Sequence, residues 1–148
     1  MIKILFVCHG NICRSTMAEF VMKQMAAEAD CTDIYIESAA TSREELGNDT
    51  YPPVKKLLRE KGIPFESRRA RQIRSDEYDK FDYIIGMDDA NIASIKRMCG
   101  RDPSGKIFKL LDFAGLDRSI SDPWYTRDFD STYEDVVIGC TALLEKLK

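Results

Sequence analysis

One histidine is present in the 148 residues, and a metal centre built from Cys8, His9 and Cys13 would therefore lack a fourth ligand. Long apolar runs are absent too. No window approaches the roughly 18 unbroken apolar residues of a membrane span. The N-terminal "MIKILFVC" runs into a polar loop without a long apolar stretch or a small-residue cleavage site, so no signal peptide and a cytoplasmic location are expected. The 5 cysteines are an odd number with no framework spacing, which is the pattern of reduced thiols. Charge of one sign is scarce. A net charge of −3 gives no electrostatic footprint for nucleic acid. No repeat, low-complexity segment or linker breaks the chain, and its length is that of one domain, residues 1–148.

What is present is a soluble composition, 44% hydrophobic and 32% charged, with strand-like and helix-like stretches in alternation. Strands are expected at 2–7, 33–38, 81–87 and 106–111. Helices are expected at 16–29, 52–62, 89–98 and 131–147. Thr16/Glu19 and Ser131/Glu134 have the spacing of capping boxes, and Pro52 and Gly62 bracket the second helix. Such alternation implies an α/β fold with a parallel sheet. Sites in these sheets lie outside the carboxyl ends of the strands.

The stretch "CHGNICRS", residues 8–15, sits at such an end. Backbone N–H groups between a strand and a helix N-terminus have no intrahelical partner, and with the helix dipole they form an anion site. Gly10 and Asn11 tolerate the dihedrals needed to curl the backbone around a tetrahedral anion. Arg14 adds a planar fork matched to phosphate oxygens. The same donors favour the thiolate of Cys8, and Ser15 is placed to donate to it. A nucleotide P-loop is excluded, because the lysine and second glycine are missing. Arginine at a helix start opposes the dipole unless an anion joins it.

Cys8-x5-Arg14-Ser15 after the first strand resembles the signature of protein tyrosine phosphatases. The full "CHGNICRS" near the N-terminus resembles the low-molecular-weight class. The resemblance continues through "SAATS" (38–42), "GN" (47–48), "ARQI" (70–73), "FDYIIGMDDAN" (81–91) and "DPWY" (122–125). It implies one α/β domain, a four-stranded parallel sheet in the order 2-1-3-4 with helices on both faces, and no cofactor or metal. It implies Cys8 as nucleophile, Arg14 as phosphate ligand and Asp122 as general acid and base. His9, Gly10, Asn11, Ile12, Cys13 and Ser15 would form the phosphate loop, with His9 at the rim. Trp124 and Tyr125 would flank an aromatic phosphoester. Asp88 would orient the site, although its position also suits a helix cap. Cys13 would form a reversible disulfide with Cys8.

Three departures from the family pattern stand out. "SREELG" puts Arg43, Glu44 and Glu45 where many members have an aromatic wall. Arg68 or a neighbour stands where some members have a histidine supporting the loop asparagine. Thr16 replaces a common proline. "RRAR" (68–71) otherwise reads as a solvated basic stretch.

The reaction expected is hydrolysis of a phosphotyrosine protein or a small aryl phosphate, releasing inorganic phosphate. Alternatives on the same scaffold are a protein-arginine phosphatase, an arsenate reductase, a phosphopeptide-binding module and a phosphocysteine carrier. Isolated Cys31, Cys99 and Cys140 argue against the reductase. Ile12, where arginine phosphatases tend to carry threonine, favours an aromatic substrate, and an intact Asp122 argues against a pure binder.

Overall fold

The computed structural model of the chain describes residues 1–148. Its strands are β1 (Ile2–Cys8), β2 (Ile34–Ala40), β3 (Tyr83–Gly86) and β4 (Ile107–Lys109). All pair in parallel in the order β2-β1-β3-β4. The helices are α1 (Arg14–Glu28), α2 (Pro52–Glu60), α3 (Asp89–Cys99), a single turn α4 (Pro123–Thr126) and α5 (Phe129–Leu147). Two 3₁₀ turns, Ser75–Asp79 and Leu110–Ala114, complete the chain.

Side chains alternate across the central strand. Ile4, Phe6 and Cys8 face a core shared with Met17, Val21, Leu110, Cys140 and Leu143. Leu5 and Val7 face a second core with Tyr78, Phe81, Ile95 and Ile107. Helices α1 and α5 thus cover one face and α3 the other, which is why β1 is apolar on both sides. Gly139 lets α5 close on the turn at Leu110–Ala114: a Cβ there would lie 2.4 Å from Leu110 Cγ.

Several expected boundaries shift, and the shifts have causes. Helix α1 starts at Arg14, two residues before the expected 16, and the Thr16/Glu19 capping box does not form. Thr16 Oγ1 instead donates to the Cys13 carbonyl at 3.1 Å, and Glu19 accepts from Ser38 Oγ at 2.5 Å. Helix α5 is capped by Asp128, whose carboxylate accepts from Ser131 N at 3.0 Å; Ser131 is a donor there, not the cap. A carboxylate three residues ahead of the amide displaces the hydroxyl as acceptor. Strand β2 runs on to Ala40, beyond the expected 38. Strand β4 stops at Lys109, because the 3₁₀ turn diverts Leu110 and Leu111 under α5. Asp122-Pro123 opens a helical turn, with proline at its first position.

Candidate active site

The carboxyl ends of β1 and β3 meet at one edge of the sheet, where Val7 pairs with Gly86. The chain leaves β1 at Cys8 and enters α1 at Arg14. Between them it curls, and Asn11 takes φ +58°, the left-handed region. Gly10 does not, and a Cβ there would lie in ordinary contact, 3.4 Å from Glu45 Cγ. Asparagine tolerates that region because its short side chain can bond locally.

Asn11, fully buried, forms a fixed network. Its Nδ2 donates to Ser15 Oγ at 2.7 Å, and Ser15 Oγ lies 3.1 Å from Cys8 Sγ. Its Oδ1 accepts from Arg68 Nη2 and, at 3.3 Å, from the Arg71 amide. The expectation of a solvated basic stretch at 68–71 is therefore corrected. Arg68 supports the loop asparagine, and Arg71 pairs with Glu77 at 2.8 Å and Glu37 at 3.2 Å. Only the structure could choose Arg68 among its basic neighbours.

Helix α1 opens without an acceptor. Its N-cap, Cys13, makes no side-chain bond, and no acidic residue lies in the first turn. No backbone N–H of residues 9–15 donates to a main-chain carbonyl. Buried amides without protein acceptors are rare. Here they lie at the start of α1, the positive end of its dipole, where an anion is favoured.

Arg14 is buried with them. Its Nη1 donates to Asp88 Oδ2 at 2.7 Å and to the Ile120 carbonyl at 2.9 Å; its Nη2 lies 3.4 Å from Asp122 Oδ2. Burial works against the charge, but Cys8, Asp88 and Asp122 outweigh it and hold the guanidinium's proton more tightly than usual. Asp88 fills both of its expected roles, for its other oxygen caps α3 through the Asn91 amide at 2.7 Å. The Ile120 carbonyl carries no signal in sequence.

Asp122 caps α4, accepting from the Trp124 amide at 3.0 Å, and stands beside the same cleft as Cys8 and Arg14. That cleft has a volume of about 100 Å³ and is also lined by His9, Gly10, Ile12, Cys13, Glu44, Glu45, Trp124 and Tyr125. Asn11 and Ser15 do not line it but brace it from behind. Cys8 and Cys13 are both free thiols. Burial, then the charges of Cys8 and Asp122, push the Cys13 thiol up to about 12, so it stays protonated. Trp124 packs on Tyr51, with ring centroids 4.9 Å apart, and Arg127 lies over both rings.

Known proteins share this sequence pattern and fold. Residues 3–148 match the family described as low molecular weight phosphotyrosine protein phosphatase. The chain belongs to that family. The low molecular weight protein-tyrosine-phosphatase PtpA of Staphylococcus epidermidis is 38% identical over 98% of this chain and 93% of its own length. The crystal structure of YfkJ from Bacillus subtilis superposes with a TM-score of 0.95 at 38% identity, covering 99% of this chain and 94% of that one. DARP, a Drosophila arginine phosphatase, superposes with a TM-score of 0.91 at 28% identity, covering 99% and 98%. As a low molecular weight protein-tyrosine-phosphatase this chain is a hydrolase, and its family implies a phosphoprotein substrate and phosphate as product. The four-stranded parallel sheet expected in the order 2-1-3-4 is the one observed. No helix is long and apolar enough to cross a membrane.

Proposed function

We propose that this phosphatase hydrolyses phosphotyrosine esters of cytoplasmic proteins, and small aryl phosphates, through a phosphocysteine on Cys8, with residues 1–148 acting as one domain. The observation that carries the reading is the run of amides at residues 9–15 without a main-chain acceptor, beside a cleft lined by Cys8, Arg14 and Asp122.

In the first half, the Cys8 sulfur attacks phosphorus and the phosphorus–phenolic oxygen bond breaks. Asp122 gives its proton to the departing oxygen. The amides and Arg14 hold the three equatorial oxygens, and their fixed positions supply most of the stabilisation. Ser15 accepts from Asn11 Nδ2, which leaves its own proton free to donate to the sulfur as a thiolate. In the second half, water attacks phosphorus, the sulfur–phosphorus bond breaks, and Asp122 takes the water's proton. Inorganic phosphate leaves. The chain's own donors perform every step, so turnover without added metal is expected.

A second reading, an arginine phosphatase, is favoured by one observation, the structural likeness to DARP. Ile12 lines the cleft with an apolar side chain, which suits a phenyl ring better than a guanidinium. Hydrolysis of p-nitrophenyl phosphate in EDTA, blocked by vanadate, tests the chemistry. Phosphotyrosine and phosphoarginine peptides of matched sequence then separate the two substrates. Faster release from the phosphoarginine peptide would overturn the phosphotyrosine reading.

A further inference from the structure

The chemistry above occupies the floor of the cleft and leaves its mouth without a role. Glu44 and Glu45 line that mouth. Glu44 Oε2 is 3.0 Å from His9 Nε2, and its side chain is 69% exposed. Glu45 Oε2 accepts from Asn48 Nδ2 at 2.6 Å, and its Cγ lies against Gly10 of the phosphate loop. The only lysine or arginine lining the cleft is Arg14, which is buried and already paired with Asp88 and Asp122. Trp124, 43% exposed, and Tyr125, 78% exposed, line the same cleft as the two carboxylates.

We propose that this acidic and aromatic mouth makes the enzyme select phosphotyrosines that have lysine or arginine beside them in sequence. The inference rests on the phosphotyrosine reading above. A phosphate seated at the floor fixes how far the neighbouring residues can stray from the mouth. A cationic neighbour there meets Glu44 and Glu45 and can lie over the exposed ring of Tyr125, since Trp124 already carries Arg127. An acidic neighbour meets two like charges, and discrimination comes as much from that repulsion as from the attraction. Exposed ion pairs of this kind each contribute roughly a two- to fivefold factor, so the combined preference for a basic over an acidic neighbour is about five- to twentyfold in kcat/KM.

The test compares two phosphotyrosine peptides, identical except for arginine or glutamate flanking the phosphotyrosine, with p-nitrophenyl phosphate as reference. Wild type is expected to prefer the arginine peptide about five- to twentyfold in 50 mM salt and to lose most of that margin in 500 mM salt. The preference should collapse to within about twofold in E44Q/E45Q and reverse in E44K/E45K. It should persist in E60Q/E66Q, which removes the same charge at exposed positions away from the cleft. A wild-type ratio within twofold, or a ratio that survives E44Q/E45Q, overturns the inference while leaving the phosphatase reading intact. Failure to hydrolyse p-nitrophenyl phosphate overturns that reading itself.

Discussion

At the floor of the cleft Asn11, Arg14 and Ser15 are buried, and Asn11 has a partner on each end of its amide. At the mouth Glu44 and Tyr125 stand in solvent, held by one contact or none. The two regions adjoin one cleft, yet they serve opposite needs. A transition state has one shape, so donors that meet it must be set before it arrives, and the rigid network behind Asn11 does that. Protein substrates differ, so a surface that receives them gains from exposed groups that can adjust. Floor residues should therefore govern kcat, and mouth residues the choice among substrates.

The sharpest way to break this contrast is at the sulfur. Cys8→Ser should lower kcat on p-nitrophenyl phosphate by about 10⁵, with the fold intact by circular dichroism; a turnover near wild type would exclude the phosphocysteine. Asp122→Asn should cost about 10³ on phenyl phosphate and less on p-nitrophenyl phosphate, whose leaving group needs no proton. Equal losses on both would remove Asp122 from the acid role. Arg14→Lys should cost about 10² in kcat/KM, because an ammonium cannot span phosphate, Asp88 and Ile120 as the planar fork does.

Behind the floor the effects shrink. Arg68→Ala leaves Asn11 Oδ1 only the longer bond from the Arg71 amide and should lower kcat about tenfold with KM little changed, which steady-state kinetics would show. A change in KM alone would place Arg68 with the mouth. The smallest effect is on stability. Glu77 is buried; burial pushes its carboxyl up, but Arg71 and the Arg74 amide outweigh that and hold it below the usual carboxylate range. A carboxyl held low in the folded state contributes stability above its unfolded value of about 4.3, and that is lost as pH falls through the folded value. Glu77→Gln should cost about 1–3 kcal/mol at pH 7 and flatten the fall in Tm below about pH 4. Because the Arg71 amide donates to Asn11, a fall in kcat should accompany it.

Local signals made part of this legible. The alternation of apolar runs, Pro52 and Gly62 marked most elements, and the thiol, arginine and Asn11 showed themselves by spacing within one short loop. Caps were less legible, since Asp128 and Ser131 both suit an N-terminus and only the chain's path shows which one accepts. Arg68 hid for the same reason, as one of several basic residues in a row.

Sequence by itself determined the composition of the loop, because a nucleophile, a residue that tolerates the left-handed region and a phosphate ligand stand within eight positions. Tertiary structure decided everything that crosses the sheet. It brought Asp122 to Arg14 over 108 positions, turned the Ile120 carbonyl into a ligand for the guanidinium, and set two glutamates and two aromatic rings around one cleft. Parallel strands cause this. They deliver all their carboxyl ends to one edge, so residues remote in the chain meet there, and no local pattern records which of them will be neighbours.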